Sequence, residues 1–131
     1  MTREIIATEL APKAIGPYSQ AVRVGAGKTL YCSGQIPLDP ASGELLGAGD
    51  VRAQAHQVLK NLQAVLTAAG ASLSDVAKTT IFLTDLSDFA VVNEIYGTYF
   101  PTNPPARSTI QVSALPRGAR IEIEAIALLA E

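Results

Sequence analysis

The segment that most constrains the fold is an amphipathic helix predicted over residues 51 to 69. Asp50 precedes it as an N-cap, whose carboxylate can accept hydrogen bonds from the first turn, and Gly70 follows where helices commonly end. Apolar residues recur along one face at three- and four-residue spacing, namely Val51, Ala55, Val58, Leu59, Leu62, Val65, Leu66 and Ala69. This face must be covered by another layer of secondary structure.

Strand-like segments rich in β-branched and aromatic residues supply that layer. They are predicted at residues 21–24, 29–32, 76–84, 107–113 and 119–128, with a short additional strand at 3–7 and a turn over 25–28. A second helix, over about residues 88–99, begins at Ser87 or Asp88 and cannot continue through Pro101. We therefore predict one α+β domain, residues 1–131, with a mixed β-sheet and both helices packed on one face.

The composition predicts that the other face of this sheet lies in a subunit interface. Charged residues make up 17% of the chain, against about 25% in typical domains. Two helices suffice to cover one sheet face of this size, so the second face needs another partner. An apolar excess of this kind favours an oligomer.

Charge and hydropathy exclude several classes of partner. The net charge is −2 and no cluster of Lys and Arg occurs, so we expect no nucleic-acid partner. No stretch approaches the ~20 apolar residues of a membrane span, so we expect no membrane partner. The N-terminal segment has neither the apolar core of a signal peptide nor the bias of a transit peptide, which predicts a cytoplasmic location.

Cys32 and His56 are each the only residue of their type. They cannot supply an internal disulfide or a typical zinc site, and a His/Cys/Cys zinc deaminase is excluded. Cys32 follows a strand pattern and is interpreted as a small buried residue. His56 is interpreted as a helix-flank residue. No metal is therefore expected.

Arg107 is the strongest candidate for a functional residue. Pro104 and Pro105 stiffen the approach to it, and a guanidinium held in this way can grip a carboxylate with two parallel hydrogen bonds. Glu122 and Glu124 lie on an otherwise apolar strand, where a carboxylate is costly unless it is paired or used. This pattern predicts a site for a small carboxylate substrate that needs proton transfer. A structural ion pair is the alternative interpretation.

Several ordered sequence blocks resemble one known family, the imine/enamine deaminases called RidA or YjgF. The blocks are 14–21 (AIGPYSQA), 33–37 (SGQIP), 78–83 (KTTIFL), 89–93 (FAVVN), 105–108 (PARS) and 121–125 (IEIEA). Their order and spacing agree with the family over nearly the whole chain. The resemblance implies a chorismate-mutase-like fold and a homotrimer whose active sites lie in the clefts between subunits.

The resemblance also implies a reaction. Members of the family hydrolyse reactive 2-imino acids, or their enamine tautomers, to 2-oxo acids and ammonia without a metal or cofactor, which protects pyridoxal-phosphate enzymes. The expected substrates are 2-iminobutanoate and 2-iminopropanoate, the latter being the imine form of 2-aminoacrylate. An imine carbon is already electrophilic, so the enzyme needs orientation and proton management rather than a potent nucleophile.

Three residues match the catalytic positions of the family. Arg107 matches the carboxylate clamp, Glu122 the acid that positions the attacking water, and Tyr18 a phenol at the mouth of the site. Glu124 lies on the same face of the strand as Glu122, and the choice between them comes only from the resemblance. The alternative for Tyr18 is that it only packs a turn after Gly16-Pro17.

Four further residues match substrate-binding positions. Ser33 and Gly34 match a backbone turn beside the substrate, and Asn93 matches a polar residue of the cleft. Thr109 takes the place of a cysteine found in many members. The alternative for Asn93 is a helix residue that faces solvent.

Two other functions remain open at this stage. Some relatives are described as endoribonucleases that inhibit translation, although the acidic character of this chain weighs against tight RNA binding. A non-catalytic member that binds small acids, or that acts as a chaperone, is the third interpretation. The presence of Arg107 argues against it.

Overall fold

A computed structural model describes residues 3–130 and contains two helices and six strands. The helices are α1 (Val51–Ala68) and α2 (Phe89–Tyr99). The strands are β1 (Arg3–Ile6), β2 (Ala21–Val24), β3 (Lys28–Gln35), β4 (Val76–Leu83), β5 (Ala106–Gln111) and β6 (Ile121–Leu129). The predicted helices and strands are confirmed to within a few residues at their ends.

Four strands form the main sheet in the order β3-β6-β4-β5. β4 and β5 run parallel, whereas β6 pairs antiparallel with both β3 and β4, so the predicted mixed sheet is confirmed. Side chains alternate between the two faces of a strand. On β6, Ile121 and Ile123 are buried in the core under the helices, while Glu122 and Glu124 point to the opposite face.

The helices pack together on one face of this sheet, as predicted. Asp50 caps α1 by accepting hydrogen bonds from the backbone N–H groups of Arg52 and Ala53, at 3.1 and 3.2 Å. The core lies between the helices and the sheet, and its largest fully buried members are Tyr96, Leu59, Leu62, Leu66, Ile81, Leu83, Ile121 and Ile123.

The predicted apolar face of α1 was wrong at two positions. Val65 is 38% exposed and Ala69 is also exposed, whereas Leu62 and Leu66 are fully buried, so the buried face of the helix is narrower at this end than predicted. Gln54 is fully buried instead. Its amide donates to the carbonyl of Gly47 at 3.0 Å and accepts from the N–H of Arg120 at 2.8 Å, so burial leaves no polar group unpaired.

The N-terminal strands form a separate ribbon, in which β1 pairs antiparallel with β2. The ribbon is held to the rest of the chain by a parallel bridge between Ser19 and Ala106, and by Arg3, whose Nε donates to the carbonyl of Val76 at 2.9 Å. The strands that flank the predicted turn at 25–28 thus lie in different sheets. Gly27 sits at φ +154°, and a Cβ there would overlap the carbonyl oxygen of Leu129, so the chain enters β3 against the end of β6.

The face of the sheet opposite the helices carries exposed apolar side chains. Tyr31, Ile110 and Ile126 are 76%, 45% and 37% exposed. Cys32, by contrast, is buried on the helix side, as predicted. Within residues 3–130, neither helix is long and apolar enough to cross a bilayer.

Candidate active site

Arg107 lies in a box of three aromatic rings. It is the second residue of β5 and pairs in register with Thr79 of β4, on the face that the helices cover. Its Cζ lies 5.1 Å from the ring centroid of Tyr18, 5.2 Å from that of Tyr96 and 5.6 Å from that of Phe89. These distances are in the range of cation–π attraction.

The guanidinium of Arg107 has no anionic partner among residues 3–130. The salt bridges found among residues 3–130 are Arg23–Glu4, Arg52–Glu94 and Arg120–Asp88. Nη1 of Arg107 is buried and has no hydrogen-bond partner. Burial lowers the pKa of this guanidinium, and the nearby Tyr96 and Tyr18 hydroxyls oppose that shift. The alternative interpretation, a structural ion pair, is therefore wrong for the single chain.

Two more buried polar atoms without partners belong to Asn93 and Thr109, both predicted site residues. They are Oδ1 of Asn93 and Oγ1 of Thr109. A Cβ on Gly16 would lie 3.4 Å from Nδ2 of Asn93 and 3.5 Å from Nη2 of Arg107, so the loop at residues 10–18 reaches both side chains. Asn93 is half-buried, and the alternative that it faces solvent is wrong.

An open cleft of about 190 Å³ leads to this cation and is lined by Ile15, Tyr18, Phe89, Arg107 and Thr109. Tyr18 does more than pack a turn, because its ring stacks against the guanidinium. Its hydroxyl oxygen accepts a hydrogen bond of 3.2 Å from the N–H of Ile15. Four predicted site residues, Tyr18, Asn93, Arg107 and Thr109, thus converge, and the buried polar atoms among them suit a small anion with hydrogen-bonding groups.

The other three predicted site residues lie on β3 and β6. The register between these strands shifts between Cys32 and Gln35, so Gly34 sits in a β-bulge. A Cβ on Gly34 would overlap the carboxylate of Glu122, so the glycine makes room for this acid. Ser33 opens instead onto a cavity of about 440 Å³ that it shares with Glu124. Glu122 is half-buried and Glu124 is exposed.

A single chain does not bring Arg107 and Glu122 together. Arg107 lies on the face covered by the helices, and Glu122 lies on the opposite face. β4 also separates their strands, which places the backbones of β5 and β6 about 10 Å apart. The expectation of an active site in a cleft between subunits therefore stays a prediction.

Two features of the Arg107 box were missed by sequence reasoning. Tyr96 and Phe89 fall within the second predicted helix and received no site role, yet their rings lie against the guanidinium. Thr79 was assigned only to a strand, yet it is fully buried beside Arg107. The polar end of Tyr96 and the hydroxyl of Thr79 were the available signals, because buried hydroxyls require partners.

Residues 8–129 match the model of the family described as Endoribonuclease L-PSP. The chain belongs to this family, and the predicted RidA/YjgF membership is thereby confirmed. The Endoribonuclease L-PSP family match covers nearly the whole chain, including every predicted site residue.

Individual Endoribonuclease L-PSP relatives are similar over their full lengths. The chain is 62% identical to Protein DfrA of Myxococcus xanthus, covering 98% of this chain and 97% of that protein. It is 56% identical to the 2-iminobutanoate/2-iminopropanoate deaminase of Mus musculus, covering 96% and 91%. The crystal structure of E. coli TdcF with bound serine has a TM-score of 0.73 at 45% identity, covering 97% and 99%. The predicted α+β fold is that of the family.

Proposed function

We propose that this protein hydrolyses reactive 2-imino acids, or their enamine tautomers, to 2-oxo acids and ammonia. One observation carries the proposal: Nη1 of the half-buried Arg107 side chain is buried and unpaired, and the guanidinium has no carboxylate partner in the described part of the chain. A desolvated cation of this kind favours an anionic ligand. The deaminase name of the 56% identical mouse relative supports 2-iminobutanoate and 2-iminopropanoate as substrates. The serine bound to TdcF is a small α-amino acid, which agrees with a carboxylate ligand.

In the proposed reaction, Arg107 binds the substrate carboxylate through two parallel hydrogen bonds. Glu122 of a neighbouring copy takes a proton from water as the water oxygen bonds to the imine carbon. The same proton passes to the imine nitrogen, and a carbinolamine forms. The hydroxyl proton then passes to the amino group, the C–N bond breaks to release ammonia, and the 2-oxo acid remains, so water is the only other reactant. In each step the protein orients the reactants and transfers protons.

The proposed assembly is a homotrimer with active sites between subunits. It is supported by the exposed apolar face of the sheet, with Tyr31, Ile110 and Ile126, and by the separation of Arg107 from Glu122 within one chain. Gly34 and Ser33 would accompany Glu122 from one subunit, and Tyr18, Asn93 and Thr109 would accompany Arg107 from the other. No cofactor takes part in the proposed chemistry, and the proposed location is the cytoplasm.

A coupled assay tests the activity. A pyridoxal-phosphate dehydratase acting on threonine or serine generates 2-iminobutanoate or 2-aminoacrylate, and imine loss is followed with and without this protein. We expect accelerated loss that persists after treatment with a chelator and dialysis. A rate equal to the spontaneous rate for both imines would contradict the proposal, and activity that needs added zinc would contradict metal independence.

A second candidate function follows from the family description Endoribonuclease L-PSP. Incubation of the parent and an Arg107→Ala variant with single-stranded RNA tests it. The net charge of −2 leads us to expect no cleavage at physiological salt. Cleavage that co-purifies with the parent and is lost in the variant would favour this function.

A further inference from the structure

We propose that Thr79 and Tyr96 form a positioning pair that fixes the orientation of the Arg107 guanidinium before a ligand binds. Neither residue is expected to touch the substrate, and both act through Arg107. That the ligand is a carboxylate rests on the proposed function, whereas the orienting role itself concerns the free protein.

The two residues hold each other inside the core. Their hydroxyls share a hydrogen bond of 2.7 Å, and both side chains are 0% exposed. The ring of Tyr96 also stacks on Phe100, with centroids 4.6 Å apart. A buried hydrogen bond whose partners cannot reach water fixes both groups, because breaking it leaves two unsatisfied hydroxyls. The Tyr96 ring is therefore held in one orientation.

The pair is anchored at both ends to Arg107. Thr79 is the direct neighbour of Arg107 in the parallel register of β4 and β5. The ring of Tyr96, held from Thr79, lies 5.2 Å from the Cζ of Arg107. Three contacts thus connect Arg107, Thr79 and Tyr96 in a closed loop: the strand pairing, the hydrogen bond between hydroxyls, and the contact between ring and guanidinium. Thr79 therefore positions the backbone of Arg107 directly, through strand pairing, and its guanidinium indirectly, through Tyr96.

These contacts give the Arg107 guanidinium a fixed orientation, which an unpaired side chain otherwise lacks. An arginine side chain has several rotatable bonds, and no carboxylate in the part of the chain that the structure describes holds this one. An aromatic ring attracts the cation without using its N–H groups. Those N–H groups then stay free for two parallel hydrogen bonds to a ligand, and Nη1 is unpaired as this requires.

Tyr96 can serve in this way because it stays neutral. Burial raises the pKa of its hydroxyl to about 12, although the Thr79 hydrogen bond and the positive charge of Arg107 act in the other direction. A phenolate would neutralise Arg107 and compete with a ligand for it. The raised pKa keeps the phenol protonated at every pH well below that value.

Three variants separate positioning from mere core packing. Thr79→Val and Tyr96→Phe each keep the shape and remove one hydroxyl, which leaves the other hydroxyl buried and unpaired. Each should lower the Tm by about 5 °C. The double variant removes both hydroxyls, so its Tm should return most of the way to the parental value. If the pair only packs the core, arginine order and ligand binding should be lost in the single variants and restored in the double variant, together with the Tm.

The first readout needs no substrate. In NMR spectra of the protein labelled with ¹⁵N-arginine, the Nε–Hε group of Arg107 should be ordered and shifted by ring currents in the parent. Its order parameter should fall in all three variants, including the stable double variant. Unchanged order and shift of this signal in the double variant would overturn the proposal, whatever the enzyme activity.

The second readout is binding of 2-oxobutanoate, measured by calorimetry. We expect each variant, and the double variant as well, to bind about fivefold more weakly than the parent. When Arg107 is also replaced with lysine, the same substitutions should change binding by less than about twofold. The planar guanidinium that Thr79 and Tyr96 orient is then absent. Equal losses in both backgrounds would overturn the role of the pair. A parent that binds no 2-oxo acid would count against the proposed function, and the NMR result would still decide on the pair.

Discussion

At the scale of single residues, the contacts that stabilise the Arg107 guanidinium within residues 3–130 are aromatic rather than ionic. Three rings lie within 5.6 Å of its Cζ, and none of them consumes an N–H donor. Such an arrangement suits a planar guanidinium better than a compact, strongly hydrated ammonium. The identity of the cation at position 107 therefore matters as much as its charge.

Replacing Arg107 with lysine tests this point. Arg107→Lys keeps the positive charge but loses the two-pronged donor, so transition-state binding should fall by roughly 2 kcal/mol, or about 30-fold in kcat/KM. Steady-state kinetics with 2-iminobutanoate measures the loss, and the Tm and oligomeric state serve as controls. A correctly assembled Arg107→Lys enzyme with the parental kcat/KM would show that Arg107 is not the clamp.

The two acids of β6 offer a matched comparison. Glu122 is half-buried against Gly34, and Glu124, two residues later on the same face, is exposed. Glu122→Gln should keep the fold and still bind 2-oxo acids, yet lower kcat by on the order of 100-fold because the general base is lost. Glu124→Gln should stay within about threefold of the parent, since an exposed acid far from the reacting atoms changes little. A reversed order in single-turnover kinetics would assign the water-activating role to Glu124.

Part of this site could be predicted from the sequence. The segment before Arg107 predicted a clamp because two prolines and a following strand restrict the arginine, and the structure contains such a cation. The roles of Thr79 and Tyr96 were not predictable from spacing, because they depend on which residue of β4 lies beside Arg107. Strand register is a tertiary property, and a shift of one residue would turn Thr79 to the other face.

At the scale of elements, the β-bulge in β3 is the feature that places Glu122. The register shift between Cys32 and Gln35 brings the backbone of Gly34 against the Glu122 carboxylate. The helices and most strands were predicted because their periodicity and end signals are local. The bulge, the buried Gln54 and the pairing of β2 with β1 were not predicted, because each depends on contacts between segments distant in sequence.

A methyl group added at Gly34 in this bulge should displace the carboxylate of Glu122. Gly34→Ala places a Cβ where the Glu122 carboxylate lies, so the carboxylate must rotate away. A displacement of about 1 Å can cost on the order of 100-fold in rate, and we expect kcat to fall by about that factor. Calorimetric binding of 2-oxobutanoate should change much less, because Arg107 lies on the other face. Gly97→Ala adds the same methyl group where the nearest atom of another segment would lie 3.7 Å away and is the matched control, and equal losses in both variants would contradict the special role of Gly34.

At the scale of the whole molecule, the two groups of site residues face in different directions. The Arg107 group lies between the sheet and the helices, and the Glu122 group lies on the uncovered face, beside exposed apolar side chains such as Tyr31. The low charge content correctly indicated an uncovered sheet face, since that inference needs only the number of helices and the composition. It could not indicate that the face and the cleft complement each other, because that relation involves two copies of the chain.

Complementation between two inactive variants tests whether the active site is shared. Arg107→Ala chains retain Glu122, and Glu122→Gln chains retain Arg107, so a site that takes Arg107 from the second variant and Glu122 from the first is complete. In a cyclic trimer only one of the two orders of a mixed contact joins the intact Arg107 to the intact Glu122, so about a quarter of the intersubunit sites should be complete in trimers formed at random from an equal mixture, giving about a quarter of the parental activity per site. The variants are mixed, unfolded, refolded together and assayed for 2-iminobutanoate hydrolysis, and light scattering confirms the trimer mass. Each variant refolded alone is the control. Activity of the refolded mixture that equals the mean of the two controls, in particles that are trimers, would show that no site combines Arg107 of one chain with Glu122 of another.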